Sequence, residues 1–378
     1  MQRWRLFFGN LAMVATSVAV GIILLELIFR FLPVAVAPPV QEPTLANKIQ
    51  RYAPNTHFTW SLGWDFNVVV HGRTNAQGFV ADYDYNANAT TPLVAVVGDS
   101  YVEALMVPFA ESLTGRLQAM LGHNGRAYAF AQSGSPLSQY VAYAQYACAV
   151  YRPQRLVVVI VGNDFDESVF SHRLLGGIYH LHPRSDGGFD YRLTPPVAHG
   201  PLERTLRHSS LALYLVRNVG IMGLVERFMP TPAKPADEPA AYVGNTAAAA
   251  GAGRLAEGER VIAWFLEMLP SAACLPPEDI LLIVDAMRPQ IYDNAALAAA
   301  RTSYFGRMRR SLMTHARMHG FRVVDLEPRF REAYAAERHP FEFPNNGHWN
   351  VRGHMVAAEA VRKALGDWPP LTASWRAN

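Results

Sequence analysis

The chain lacks the features that direct a protein to nucleic acid or into a repeat architecture. Its 34 lysines and arginines nearly balance its 31 aspartates and glutamates, which leaves a net charge of +3 over 378 residues. No basic run with interleaved aromatic residues is present, so nucleic acid is not expected as a partner. There is also no internal repeat and no heptad pattern, which argues against a solenoid and a coiled coil.

The sequence is poor in metal-ligand patterns. His180 and His182 are two residues apart, but no cysteine or carboxylate stands at a matching spacing. We therefore expect no metal and no other cofactor. His354 falls at the start of the last predicted helix, and we interpret it as structural.

Only two cysteines are present, Cys148 and Cys274. Each is predicted to lie at the end of a helix that precedes a strand, and those two helices would be neighbours on one face of a sheet. An oxidising compartment would allow a disulfide between them. Two buried free thiols are the alternative, and the sequence does not decide between the two states.

A long apolar run occupies the N-terminus, from Leu6 to Leu25. About 20 apolar residues, at about 1.5 Å per residue, cross the roughly 30 Å hydrocarbon core of a bilayer. The run exceeds the roughly 7–15 apolar residues of a cleaved signal peptide. We predict an uncleaved single-pass anchor over residues 1–33. Arg3 and Arg5 precede it, which favours a cytoplasmic N-terminus and places the rest of the chain on the extracytoplasmic (periplasmic) side.

Proline-rich sequence follows the anchor and predicts an extended spacer over residues 33–50. We interpret residues 34–90 as a stalk and N-terminal extension. From residue 91 apolar runs alternate with helical patterns until about residue 368, except in a glycine- and proline-rich insertion, or lid, at about 165–250. The predicted strands are 93–97, 126–131, 155–161, 279–285 and 321–325. The predicted helices are 108–121, 136–151, 255–269, 295–319 and 351–366.

This alternation of strands and helices predicts an α/β fold. Strands separated by helices form parallel sheets with helices on both faces. The expected architecture is a three-layer α/β/α sandwich with a mainly parallel, doubly wound sheet, preceded by the transmembrane helix.

The most informative motif is Val97-Gly98-Asp99-Ser100, which ends the first predicted strand. It places a serine hydroxyl at the carboxyl end of a strand, where open α/β sheets bind their ligands. Gly-Asp-Ser is also ordinary turn sequence, and serine is a common helix N-cap. The motif therefore indicates catalysis only where other motifs of the chain support it.

Three later blocks stand in order along the chain: Gln132-Ser133-Gly134, Gly162-Asn163-Asp164 and Gly347-His348-Trp349-Asn350. Serine, glycine, asparagine and histidine thus stand at the ends of successive elements. This order resembles the SGNH (GDSL-type) hydrolase family, over roughly residues 91–368. The resemblance implies a flavodoxin-like sandwich, no cofactor, and the hydrolysis or transfer of acyl groups on esters.

The resemblance also implies a role for each residue. Ser100 matches the nucleophile and His348 the general base that removes its proton. The N–H groups of Ser100 and Gly134 and the side-chain amide of Asn163 match the oxyanion hole. Fixed N–H donors of this kind each lower the barrier by about 3 to 4 kcal/mol.

One departure from the family concerns the third catalytic residue. The family carries an aspartate two or three residues before the histidine, where this chain has Asn346 and Asn345. An asparagine oxygen accepts a hydrogen bond from imidazole but supplies no charge. The ring could equally be oriented by a backbone carbonyl or by a remote acid such as Asp285 or Asp325.

Two functions remain open from the sequence. The first is a membrane-anchored extracytoplasmic serine acyl-ester hydrolase or O-acyltransferase acting on acyl groups of a cell-envelope glycan or lipid. The second is an SGNH-fold glycan-binding or scaffold protein that has lost most or all activity with its aspartate. Arg288, near the predicted sheet edge, either meets a substrate anion or forms a structural ion pair. The sequence does not indicate an oligomeric state.

Overall fold

The computed structural model describes residues 2–44, 48–172, 175–196, 200–221, 248–344 and 346–366. By its internal contacts the chain divides into two units. One contains residues 1–37, 57–71 and 198–234, and the other contains residues 38–56, 72–197 and 235–378. All the described candidate site residues belong to the second unit.

The strands of the described chain are short, and those of the main sheet are mostly apolar. In chain order they are β1 (Val40–Gln41), β2 (Arg51–Tyr52), β3 (His57–Leu62), β4 (Val68–Arg73), β5 (Leu93–Gly98), β6 (Arg126–Ala131), β7 (Arg155–Ile160), β8 (Tyr179–Pro183), β9 (Phe189–Leu193), β10 (Ile280–Val284), β11 (Arg322–Asp325), β12 (Glu342–Phe343) and β13 (Asn346–Trp349).

The helices differ widely in length. In chain order they are α1 (Gln2–Phe29), α2 (Ser100–Glu103), α3 (Leu113–Leu121), α4 (Leu137–Tyr151), α5 (Asp164–Glu167), α6 (Pro201–Leu206), α7 (Ser210–Leu213), α8 (Ala252–Ala273), α9 (Asn294–Ala300), α10 (Tyr304–Met318), α11 (Leu326–Glu337) and α12 (Val351–Gly366).

Five parallel strands form the central sheet in the order β11-β10-β7-β5-β6. Val97 of β5 pairs with Phe130 on one side and with Val158 on the other. Every residue of β5 and β10 is buried, as expected for strands covered on both faces. The chain winds outward from β5 in both directions, so the topological switch point lies between β5 and β7.

Helices cover this sheet in two groups. Helices α3, α11 and α12 pack together, and α4, α8 and α10 pack together as the second group. The right-handed crossover rule places these groups on opposite faces, because the winding direction reverses after β6. The predicted three-layer, doubly wound α/β/α sandwich is therefore confirmed.

A disulfide links two neighbouring helices of the second group. Cys148 lies in the last turn of α4, Cys274 follows the end of α8, and their Cα atoms are 5.9 Å apart. The two cysteines are therefore bridged, and the alternative of two free thiols is wrong. The prediction that these helices are neighbours on one face is confirmed.

Several element predictions were wrong in detail. The single helix predicted over 295–319 is two helices, α9 and α10, because Ser303 has extended backbone and its hydroxyl caps α10 at Gly306. The helix predicted to begin near residue 108 begins at Leu113, after a 3-10 turn at Phe109–Glu111. Helix α11 and the hairpins β8–β9 and β12–β13 were not predicted.

The first unit contains α1 and the hairpin residues 57–71. Among the described residues, Leu6–Phe29 is the one helical segment that is long and apolar enough to cross a membrane, with 24 residues. Val34 and Ala35 are buried, and Val36 pairs with Thr59 of β3. The prolines predict an extended spacer over residues 33–50, but Val34, Ala35 and Val36 pack against this hairpin.

Candidate active site

Ser100 is the first residue of the single helical turn α2, directly after β5. The Asp99 carboxylate accepts a hydrogen bond from the Tyr101 N–H at 2.9 Å and so caps the turn. A Cβ on Gly98 would clash with the Val102 side chain, so only glycine lets the turn fold back against the strand. The hydroxyl of Ser100 is thereby fixed at the carboxyl end of the sheet.

The switch point brings the other predicted blocks to either side of Ser100. Strand β5 lies between β6 and β7. Gly134 follows β6 with a φ of +80°, which glycine adopts without strain, and Asn163 follows β7 as a buried residue. Both residues therefore stand at the sheet edge that carries the serine, as the family resemblance implies.

His348 lies on β13 and reaches Ser100 across 248 positions of sequence. Its Nε2 is 2.7 Å from the Ser100 Oγ. The Asp99 carboxylate is the other acceptor near that hydroxyl, at 3.3 Å. The shorter contact gives the histidine the better geometry to remove the serine proton.

Asn346 orients the histidine ring. Its Oδ1 accepts hydrogen bonds from the Nδ1–H of His348 and, at 3.0 Å, from the backbone N–H of the same residue. Because a backbone N–H only donates, this second bond fixes which end of the amide faces the histidine. Nδ1 then carries the proton and Nε2 is free to accept the one from Ser100. The other candidate, Asn345, lies outside the described residues.

The remote acids serve other partners. Asp285 forms an ion pair with Arg288 at 2.7 Å and accepts a hydrogen bond from the Trp349 indole N–H at 3.0 Å. Asp325 pairs with Arg309. The alternative in which one of these acids orients His348 directly is therefore wrong.

Two donors hold the carbonyl group that precedes His348. The Tyr101 hydroxyl donates to the Gly347 oxygen at 2.8 Å, and Arg288 donates to the same oxygen at 3.1 Å. Arg288 is buried and also pairs with Glu342 at 3.2 Å. Arg288 therefore forms a structural ion pair, which is one of the two alternatives that the sequence left open, and its bond to Gly347 holds the hairpin that carries His348.

The electrostatics of the site keep the histidine neutral. Burial, and then the positive charge of Arg288, lower the pKa of His348 to about 4. Burial raises the pKa of Asp99 to about 7, with the carboxylates of Glu167 and Glu103 adding to the rise. Asp99 is therefore only partly ionised near neutral pH.

Two buried glutamates contact the predicted oxyanion hole: Glu167 contacts Asn163, and Glu103 contacts Ser133, the neighbour of Gly134. Asn163 donates one amide hydrogen to Glu167 at 2.9 Å, which orients the amide and leaves its second hydrogen for a ligand. Glu103 accepts hydrogen bonds from Ser133, next to Gly134, and from Tyr52. Sequence reasoning did not identify Glu103 or Tyr101, although both follow Ser100 within three residues.

Three histidines outside the site, His180, His182 and His354, have structural partners. The Nδ1 of His180 is 2.7 Å from the Thr194 hydroxyl, and the ring of His182 stacks on Phe170 with centroids 4.4 Å apart. His354 is buried, and its Nδ1 accepts a hydrogen bond from the Leu113 N–H at 3.2 Å. Among the described residues, no group of three or more histidine, cysteine, aspartate or glutamate side chains is arranged to hold a metal ion.

No protein-family model and no curated protein matches the chain. Among solved structures, one similar protein is a member of the lipolytic G-D-S-L family from Veillonella parvula DSM 2008. The two are 9% identical, with 74% of this chain and 100% of that chain covered and a TM-score of 0.36.

Two further solved structures carry related names. A lipase/acylhydrolase from Enterococcus faecalis is 10% identical, with 75% of this chain and 100% of that chain covered and a TM-score of 0.38. A putative GDSL-like lipase from Parabacteroides merdae ATCC 43184 is 12% identical, with coverages of 75% and 99% and a TM-score of 0.38.

Proposed function

We propose that this protein is a membrane-anchored serine acyl-ester hydrolase or O-acyltransferase acting on acyl groups of a cell-envelope glycan or lipid. The observation that carries the proposal is the 2.7 Å contact between Ser100 Oγ and His348 Nε2 at the switch point of the sheet. The hydrogen bond from His348 Nδ1 to Asn346 supports it, because it leaves Nε2 as the basic nitrogen.

The chemistry follows from this geometry. His348 accepts the Ser100 proton as Oγ attacks the acyl carbon, and the N–H groups of Ser100, Gly134 and Asn163 stabilise the oxyanion. Collapse of the intermediate breaks the ester bond, and the imidazolium returns the proton to the departing alcohol. Water or a sugar hydroxyl then attacks the acyl-enzyme by the same steps, which gives hydrolysis or transfer.

The proposed location is supported by two features of the chain. Helix α1 contains a 24-residue apolar segment. The Cys148–Cys274 disulfide is typical of proteins in oxidising compartments. An N-terminus in the cytoplasm and a catalytic unit in the periplasm satisfy both. A substrate in the cell envelope, glycan or lipid, is the acyl ester that an enzyme anchored there would meet.

A fluorophosphonate probe tests the nucleophile, since it reacts with an activated serine. We expect the full-length protein in detergent to be labelled at Ser100 and to hydrolyse an aryl acetate. Ser100→Ala should abolish both signals with the fold intact. Ser271→Ala, which alters an exposed serine of α8, is the matched control and should leave both unchanged. Unaltered turnover in Ser100→Ala would overturn the assignment.

Asn346 also supports a second candidate, a glycan-binding or scaffold protein with little activity. It provides no negative charge to stabilise an imidazolium, and Arg288 adds a positive one. In that case Ser100 would resist the probe, and acylated glycan would bind equally to the wild type and to Ser100→Ala. Labelling of Ser100 together with turnover favours the enzyme.

A further inference from the structure

Glu26 is an acidic residue in the last turns of the apolar helix α1, and it binds the start of another helix. Its carboxylate accepts hydrogen bonds from the Ser209 hydroxyl at 2.7 Å, from the Ser210 N–H at 3.1 Å and from the Leu211 N–H at 3.0 Å. The two N–H groups belong to the first turn of α7, where no helical carbonyl is available to them. Arg30 completes the set at 3.0 Å.

Aromatic and amide contacts extend this attachment. The Tyr214 ring packs on Phe29 at the end of α1, with centroids 4.3 Å apart, and its hydroxyl donates to the Trp64 carbonyl at 2.8 Å. The Asn218 amide donates to the Ser61 hydroxyl at 2.8 Å. The segment 209–218 is therefore tied both to the helix and to the hairpin of the first unit.

The attachment sets the depth of this segment in a membrane. Glu26 lies three residues before Phe29, the end of the apolar span, which is about 4.5 Å along a helix axis. With α1 as the anchor of the proposed function, Ser209 and Leu211 must lie at the boundary between hydrocarbon and headgroups. A carboxylate at that depth needs donors, and these residues supply them.

Several large apolar side chains around this point are exposed. Trp64 is 71% exposed and Phe31 is 89% exposed. Leu206, Val216 and Val219 are also exposed. Tryptophan and aliphatic side chains at the level of the headgroups are typical of proteins that lie in the membrane interface.

We propose that residues 206–219 together with Trp64 form a membrane-contact surface, which lies in the headgroup region of the bilayer that holds α1. Its partner is the lipid itself, and Glu26 is its tether. The first unit is then held to the membrane at two places, the spanning helix and this surface. The proposal rests on the anchor in the proposed function and does not depend on the catalytic assignment.

The test uses the full-length protein in lipid nanodiscs with a polarity-sensitive NBD label on a single introduced cysteine. Cys148 and Cys274 are bonded to each other, so only the new thiol reacts. Val216→Cys reports the membrane-contact surface, Val14→Cys the middle of the anchor, and Met318→Cys an exposed position of the second unit. We expect blue-shifted emission and quenching by spin-labelled lipid at positions 14 and 216, and neither at 318.

The outcomes separate the surface from the anchor. A lipid signal at 14 with an aqueous signal at 216 would overturn the membrane-contact surface and leave the anchor in place. An aqueous signal at 14 would overturn both. Adding Glu26→Ala should shift the label at 216 to an aqueous signal while the label at 14 stays in lipid, and an unchanged signal at 216 would overturn the assignment of Glu26 as the tether.

Discussion

The side-chain oxygen of Asn346 accepts hydrogen bonds from both the Nδ1–H and the backbone N–H of His348. One neutral residue thus selects the tautomer of the ring and fixes its orientation. It cannot supply the charge that an aspartate would give to the imidazolium. This relationship makes the basicity of His348 the property of the site that is most open to experiment.

In the pH profile of kcat/KM, activity should fall only at low pH. His348 must be neutral to accept the serine proton, and burial together with Arg288 lowers its pKa to about 4. The base is therefore ready above pH 4, and activity is lost as the pH falls through that value. Aryl acetate hydrolysis from pH 3.5 to 8 measures this acid limb. A limb at the ordinary histidine value near 6.5 would contradict this effect of burial and of Arg288.

Asn346→Asp should raise turnover and move that limb to higher pH. A carboxylate in place of the amide would stabilise the imidazolium and offset the charge of Arg288. The gain should stay below the roughly 10⁴-fold that separates aspartate from asparagine in the serine protease triad, because this site is built around a neutral partner. Asn346→Ala is the control, and it should lower turnover by removing the orienting oxygen. Equal activity in both variants would show that Asn346 does not orient the ring.

Tyr101→Phe should lower kcat by about fivefold, since a lost hydrogen bond of about 1 kcal/mol loosens the Gly347 carbonyl and the base attached to it. Arg288 still holds the same oxygen, so the fold should persist. Tyr83→Phe removes a comparable hydrogen bond, to the Ala127 carbonyl on β6. It should cost similar stability and leave kcat unchanged. Equal kcat losses in the two variants would assign the effect to general destabilisation.

Non-reducing mass spectrometry should find Cys148 linked to Cys274. The bond closes a loop of sequence separation 126, and in the chain-entropy model its loss lowers the free energy of unfolding by up to about 5 kcal/mol. Replacing both cysteines by serine should lower the melting temperature, and reductant should have no further effect on that variant. Complete alkylation of both thiols in the native protein without reductant would rule the link out.

Much of the fold could be predicted from the sequence because its signals are local. Buried parallel strands are continuous apolar runs, and β5, β6, β7, β10 and β11 fall within a residue or so of their predicted bounds. Ser100, Gly134, Asn163 and His348 were singled out because the order of the four blocks that contain them resembles the SGNH family. The break at Ser303 escaped prediction, since helical periodicity continues across it and only the cap shows where one helix ends.

The sequence by itself determined the parallel sheet, the apolar N-terminal helix and the residues placed at the sheet edge, because hydrophobic period and strand ends are properties of neighbouring residues. Only the tertiary structure decided what orients His348, since an amide oxygen, a carbonyl and a remote acid fit the same sequence. It also decided that Arg288 holds the hairpin of the base, and that residues near 210 of the predicted lid bind Glu26. The contacts of Arg288 and Glu26 join positions 59 to 185 residues apart, and such distances are closed only by tertiary packing.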